Sequence, residues 1–243
     1  MIGCEDEKLM NVLWFSAGVS SAIVAYLCKD ELDAIIYQHI DDQHPDTLRF
    51  LHDVENLIGR EITIQQSAFR TVENACRYGN CIRIPRKPPR CSELLKRKER
   101  QKWEYEHDGE HTYFWGLDVN ERERAYRIER GMPHAKHRFP LIERELTKHD
   151  AHGIAETLGL KRPVMYDMGY QNNNCIGCVQ GGMGYWNKIR RDFPEVFASR
   201  AKMERDIGHS CINGVFLDQL DPNAGRNEAP ISTECGVYCL LNV

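Results

Sequence analysis

Short apolar runs alternate with amphipathic segments through the first two-thirds of the chain. Four runs rich in β-branched, aromatic and other apolar side chains predict strands, at residues 12–15, 32–37, 61–64 and 112–117. Residues 20–28 and 45–57 repeat apolar side chains every three or four positions, which predicts helices. Strands that alternate with helices form parallel sheets with helices on both faces. The pattern therefore predicts an α/β protein with a doubly wound, mostly parallel sheet.

The pattern changes near residue 159. Strand-like runs become rare, and an Asn-rich turn at 171–174 and a glycine cluster at 181–184 precede one good helix at 194–207. We expect an α/β domain over residues 1–158 and a cysteine-bearing C-terminal region of helices and loops over residues 159–243. We expect this region to pack on the carboxyl edge of the sheet.

Length and charge limit the function classes. The chain has 243 residues and a formal net charge of −4, and it lacks the run of about 20 apolar residues that a membrane span needs. We expect a cytoplasmic protein with no membrane partner. The net charge does not indicate a nucleic-acid substrate, although a local basic site leaves that class open. The oligomeric state is not encoded in these features.

One segment is strongly basic. Residues 83–102 contain nine basic and two acidic side chains. The prolines at positions 85, 88 and 89 favour a basic loop that binds an anion, and the alternative is a solvated helix face. The candidate anion-binding side chains are Arg86, Lys87, Arg90 and Lys96.

Small and hydroxylated residues follow the first predicted strand, in the order Ser16, Ala17, Gly18, Val19, Ser20 and Ser21. Backbone N–H groups at the start of a helix bind phosphate, because they have no partner within the helix and the helix dipole favours negative charge. Neither GxxxxGK[ST] nor GxGxxG is present. The segment is either a phosphate-binding turn or an ordinary strand-to-helix turn with a serine N-cap.

Ten cysteines are present, and in a reducing compartment they are candidates for metal ligands or redox groups. Cys175 and Cys178 are separated by two residues, a spacing that suits a tetrahedral metal or a cluster. Cys235 and Cys239 could complete a structural zinc or [4Fe–4S] site.

Cys91 competes for a place in that metal site. If Cys91, Cys175 and Cys178 hold a cluster, Cys239 or Cys81 is the candidate fourth ligand. Cys235 is then available for chemistry.

The turn at residues 16–21 resembles the PP-loop of the ATP-pyrophosphatase superfamily, especially its phosphoadenosine-phosphosulfate (PAPS) reductase branch. Four further segments resemble motifs of that branch and occur in its order, at residues 39–47, 90–96, 116–124 and 231–236. The resemblance implies a Rossmann-like fold that binds an adenine nucleotide, namely ATP, PAPS or adenosine phosphosulfate. It implies nucleotide contacts from Ser16, Ala17, Gly18, Val19, Ser20, Ser21, Asp41, Gly116, Glu121 and Arg124.

The resemblance also places the catalytic cysteine of the reductases at Cys235, which would attack the sulfur of a sulfonucleotide, with an external thiol as reductant. A [4Fe–4S] cluster on Cys91, Cys175, Cys178 and Cys239 is favoured over zinc. Glu121 and Arg124 have an alternative role as an ion pair at a helix start.

Two other functions stay open. An ATP-dependent sulfurtransferase would adenylate a base or small molecule and deliver sulfur through a cluster from a sulfur donor. Ala17 and Ser20 replace the Gly and the magnesium-binding Asp that such enzymes usually have, which weakens this alternative and the case for magnesium. A nucleotide-binding or zinc-stabilised accessory module without turnover is the third hypothesis.

Overall fold

The computed structural model describes residues 9–83 and 87–226. A single sheet contains the parallel strands β1 (Asn11–Phe15), β2 (Ala34–His39), β3 (Thr63–Gln66), β4 (Thr112–Phe114) and β5 (Lys136–Arg138). Their order is β3-β2-β1-β4-β5. The α/β class and the doubly wound parallel sheet predicted from the sequence are confirmed.

Helices connect and flank these strands. In chain order they are α1 (Val19–Cys28), α2 (Asp46–Ile58), α3 (Val72–Tyr78), α4 (Arg90–Ser92), α5 (Lys98–Glu106), α6 (Arg122–Gly131), α7 (Pro140–Glu143), α8 (Lys148–Thr157), α9 (Val164–Asp167), α10 (Met183–Asp192) and α11 (Pro194–Ile207). A π-helix (Glu93–Arg97) joins α4 to α5. No helix among the described residues has the length and apolar composition needed to cross a bilayer.

Each face of the sheet has its own core, because successive side chains of a strand point to opposite faces. Leu13 of β1 belongs to the core that α1, α2 and α8 cover. The neighbouring residue Trp14 belongs to the opposite core, where its ring packs edge-to-face on Trp103 of α5 at 5.7 Å.

A third core lies apart from the sheet faces and joins α3, the π-helix and α9–α11. It contains five buried cysteines, Cys76, Cys91, Cys175, Cys178 and Cys211. Because residues from both predicted regions contribute to it, the division at residue 158 stays a prediction.

Three local predictions were incomplete or wrong. No strand was predicted at β5, because its residues Lys136, His137 and Arg138 are all polar and pair only at the sheet edge. No helix was predicted at α10, which begins directly after its N-cap Gly182 within the glycine cluster. Residues 90–102 of the basic segment are helical and not a loop, because Pro88 and Pro89 precede the first helical turn.

The chain leaves β1 toward one face and β4 toward the other, which makes the gap between their carboxyl ends the switch point of the sheet. Ligands of doubly wound sheets bind at this position. Gly116 follows β4 there, and a Cβ added to it would lie 2.7 Å from the backbone nitrogen of Ser21. The loop after β4 and the first turn of α1 therefore pack too closely for a larger residue at position 116.

We expect Gly116→Ala to lower the free energy of unfolding by about 1–3 kcal/mol, the usual cost of an inserted methyl group in a tightly packed site. Gly153→Ala in α8 is the control, because a Cβ there meets no atom within 4 Å. It should raise stability by roughly 0.5–1 kcal/mol, since alanine favours a helix interior. Urea denaturation of both variants measures the difference, and equal destabilisation would show that the contact with Ser21 is not tight.

Candidate functional site

The turn between β1 and α1 is organised by its own hydroxyl groups. The Ser16 Oγ–H donates to Ser21 Oγ at 3.0 Å, and the Ser21 Oγ–H donates to the carbonyl of Gly18 at 2.9 Å. Gly18 is the N-cap of α1 and has no side chain that could cap the first turn. The N-cap is therefore not a serine, and the start of the helix keeps its dipole toward the switch point.

Two neighbours hold the turn from the C-terminal region. Asn173 Nδ2 donates to the carbonyl of Ala17 at 2.9 Å, and the Val19 N–H donates to the Tyr166 hydroxyl at 3.4 Å. Ala17 has a φ of 57°, in the left-handed region that glycine adopts more easily. Such strain persists only where surrounding contacts fix the backbone, and the Asn173 contact does so here.

A small cavity opens at the carboxyl ends of β1 and β2, and we call it the strand-end cavity. It is lined by the last residues of both strands together with Ser16, Gln43 and Lys96. Two lining residues, Trp14 and Gln38, have a buried indole N–H and a buried side-chain oxygen with no hydrogen-bond partner in the described chain. The residues around this cavity of about 30 Å³ thus include one donor and one acceptor without a partner in the described chain.

A second cavity, the cysteine cavity, lies beside the third core. Cys91, Cys175 and Cys178 line it together with Ser92 and Lys96. The Ser92 hydroxyl is buried and also lacks a hydrogen-bond partner among the described residues. The structure therefore brings together three of the four predicted metal ligands.

Lys96 lines both cavities. Cys91 of α4 and Lys96 of the π-helix are five residues apart and line the same cavity. Tyr37 lines the strand-end cavity and is also influenced by the cysteine cavity. Burial is the main cause that raises the pKa of its hydroxyl, Cys175 raises this pKa further, and Lys96 lowers it.

Cys76 on α3 is a neighbour of this group that the sequence analysis treated as a small buried hydrophobic residue. Its thiol hydrogen-bonds with Cys91, and this bond, with a contribution from Arg200, lowers the pKa of Cys76 although burial opposes the shift. No sequence signal pointed to it, because Val72, Ala75 and Cys76 form an ordinary buried helix face.

Arg200 on α11 is a second residue that sequence reasoning missed. Its side chain is 3% exposed and pairs with Asp42, which follows β2, and with Glu73 of α3 at 3.7 Å. Its Nε also donates to the carbonyl of Gly177, between Cys175 and Cys178, at 3.4 Å. The available sequence signal was its position four residues after Val196 and three before Met203, which places Arg200 on the same face of α11 as these apolar residues.

Asp42 and Tyr185 complete the support of the Cys-x-x-Cys turn. The Ile176 N–H donates to the Asp42 carbonyl at 2.8 Å, and the Val72 N–H donates to the Asp42 carboxylate at 2.6 Å. The Tyr185 hydroxyl accepts from the Cys178 N–H at 2.9 Å and contacts the Cys175 carbonyl at 3.3 Å. The turn is thus fixed to the sheet edge and to α10.

Other predicted nucleotide contacts have protein partners of their own. Asp41 pairs with Arg70 at 2.9 Å, and this contact lowers the pKa of the Asp41 carboxyl. Glu121 and Arg124 form an ion pair at a helix start. This is the alternative role that the sequence indicated for them. Their contact with a nucleotide stays a prediction.

The predicted anion-binding residues are dispersed. The Arg90 guanidinium donates to Glu93 at 2.6 Å, whereas Lys87 is exposed to solvent and Lys96 lies at the two cavities. Arg86, Cys235 and Cys239 lie outside the described residues.

The thiols of the cysteine cavity fit an iron–sulfur cluster or zinc by donor chemistry. In residues 9–83 and 87–226, however, no three His, Cys, Asp or Glu side chains are arranged to hold a single ion. The cavity supplies soft ligands without a preformed coordination shell. No chemical step below depends on a bound metal.

No protein-family model matches the chain, and the curated proteins contain no significant match.

We expect Asp42→Asn to lower the free energy of unfolding by about 3 kcal/mol, because it leaves the buried Arg200 charge with only the more distant carboxylate of Glu73 at 3.7 Å. The neighbouring variant Asp41→Asn is the control. It removes a pair with Arg70, whose side chain is 62% exposed, and should cost no more than about 1 kcal/mol. Chemical denaturation compares the two. Similar costs would show that the Asp42 pair is no more important than a surface pair.

Proposed function

We propose that the chain binds an adenine nucleotide at the carboxyl edge of the sheet and reduces a sulfonucleotide with cysteine thiols. The observation that carries this proposal is the position of Lys96, which lines both the strand-end cavity and the cysteine cavity. A nucleotide on the β1–α1 turn would have its charged end next to the thiols.

Residues around the strand-end cavity carry two hydrogen-bonding groups of the kind that recognise the edge of an adenine base, and the cavity of about 30 Å³ would have to widen to admit the base. The base edge of adenine carries both a hydrogen-bond donor and acceptors. The Trp14 N–H and the Gln38 side-chain oxygen provide one group of each kind without a protein partner in the described chain. The start of α1, where the N-cap Gly18 has no side chain, then provides backbone N–H groups and a favourable dipole for phosphates.

In the proposed reduction of a sulfonucleotide, a cysteine thiolate is the nucleophile. Cys235 is the proposed attacking residue. The thiolate attacks the sulfur of the sulfonucleotide, the sulfur–oxygen bond to the phosphate breaks, and the nucleotide leaves with the bonding electrons. The enzyme retains a cysteine thiosulfonate. A second thiol attacks the cysteine sulfur, which releases sulfite and leaves a disulfide that an external thiol reduces. Lys96 would neutralise the sulfate during the first step.

A second candidate is an ATP-dependent sulfurtransferase. The observation in its favour is that Cys91, Cys175 and Cys178 line one cavity, as cluster ligands would. Sulfite release from adenosine phosphosulfate or PAPS, with dithiothreitol as reductant, supports the reductase. Cleavage of ATP to AMP and pyrophosphate without sulfite release supports the transferase. In the reductase, Cys235→Ser should abolish sulfite formation and leave nucleotide affinity unchanged.

We expect Gly18→Val to weaken binding of adenosine phosphosulfate by at least about tenfold, as expected when one charge-assisted contact of the turn is lost. Gly18 has a φ of −96° and a ψ of 164°, which other residues adopt. Its substitution should therefore act through the space above the turn and not through backbone strain. Calorimetry measures the affinity. Gly182→Val is the control, because a Cβ at position 182 meets no atom within 4 Å. Unchanged affinity in a folded Gly18 variant would exclude the turn as the nucleotide site.

We also expect iron, or zinc as the alternative, in anaerobically purified protein, with Cys91, Cys175 and Cys178 among its ligands. Cys178→Ser should then reduce the metal content strongly. Cys28→Ser is the control, because Cys28 belongs to the sheet core with α1. Elemental analysis and the absorbance near 400 nm, a roughly expected signature of a cluster, measure the effect. A full metal complement in the Cys178 variant would contradict metal binding in the cysteine cavity.

A further inference from the structure

A groove of about 850 Å³ lies outside both cavities, between α8 and residues 160–171. Its volume is in the range of about 300–1,000 Å³ that is typical of small-molecule sites. Leu160, Tyr166 and Tyr170 are buried residues that line it. The groove therefore combines an apolar and aromatic floor with an open side.

Hydrogen bonds to α2 hold the wall opposite α8. The Arg49 guanidinium donates to the carbonyls of Lys161 and Arg162 at 2.7 and 3.1 Å. The Val164 N–H donates to the Asp46 carboxylate at 2.8 Å. The groove is thus formed by anchored backbone and not by a loose surface loop.

Basic side chains surround this groove. They are Lys148, His149, His152, Lys161 and Arg162, and the acidic lining residues are Glu156 and Asp167. Asp167 is already bound by Arg162 at 2.7 Å, whereas Lys148 donates to the neutral carbonyl of Gln171 at 2.6 Å. Lys148, Lys161 and Arg162 against Glu156 and Asp167 therefore leave one net positive charge, and so a weakly positive field, in the groove.

His152 responds to this field. Burial lowers its pKa to about 4, with further lowering by Lys148, Arg162 and His149. Its ring packs edge-to-face on Tyr166 at 4.7 Å. At neutral pH the imidazole is uncharged and can donate one hydrogen bond to an anionic group while the lysines supply the charge.

The geometry points to a second binding site in this groove, for a phosphate ester of nucleotide size. The positive rim would bind the phosphate and the aromatic floor would contact the organic part. Tyr166 lines the groove and accepts the Val19 N–H of the β1–α1 turn. An occupant of the groove would therefore adjoin the proposed nucleotide site, as an acceptor or effector of the same reaction would.

The test uses two probes, pyrophosphate and cytidine monophosphate, on the full chain with and without saturating adenosine phosphosulfate. Lys161→Glu should weaken binding of at least one probe by about tenfold or more. Lys102→Glu is the control, because Lys102 is 69% exposed on α5, on the opposite face of the sheet. It should leave the affinity of both probes unchanged.

Gly18→Val separates this proposal from the proposed function. Groove binding should persist in Gly18→Val, in which binding to the β1–α1 turn is lost. Tighter binding of cytidine monophosphate than of pyrophosphate would support an ester as the ligand, and the reverse order would contradict it. Probe binding that is lost in Gly18→Val and unaffected by Lys161→Glu would overturn the second site, as would a lack of binding by either probe.

Discussion

The buried ion pair between Arg200 and Asp42 connects the parts of this molecule on which its chemistry would depend. Asp42 stands at the carboxyl end of β2, and Arg200 belongs to α11, 158 positions later in the chain. The same two residues also bind the Cys175–Cys178 turn through the Gly177 carbonyl and the Ile176 N–H. A charge buried in this way is stable only with its partner, so the pair fixes one arrangement of the turn against the sheet.

With the turn fixed in this way, the switch point of the sheet is bordered by chain segments on two sides. On one side stand the hydroxyl-rich turn after β1 and the close contact of Gly116 with Ser21. On the other side Cys91 of α4 and Lys96 of the π-helix line the cysteine cavity. A π-helix is uncommon and often marks a functional site. Here it allows one cationic side chain to reach both the strand-end cavity and the thiols, which is the basis of the proposed sulfur chemistry.

The sequence was sufficient for the fold class because β1, β2 and β4 are apolar runs with clear helical segments between them. It was insufficient where tertiary contacts override local pattern, as in the polar edge strand β5 and in α10 after its glycines. The predicted metal site required Cys91, Cys175 and Cys178 to lie close together, and in the structure the three residues line one cavity. The roles of Cys76 and Arg200 could not be assigned from spacing, because spacing indicates burial and not the partner, which is Cys91 for Cys76 and Asp42 for Arg200.

The central claim is that one bound sulfonucleotide extends from the β1–α1 turn to the thiols, with Lys96 at its sulfate. The most direct measurement is the dissociation constant of adenosine phosphosulfate and of AMP for the wild-type chain and for Lys96→Met. The account predicts that the substitution weakens adenosine phosphosulfate about tenfold more than AMP, because only the former carries the sulfate. An equal effect on both nucleotides, or none on either, would contradict it.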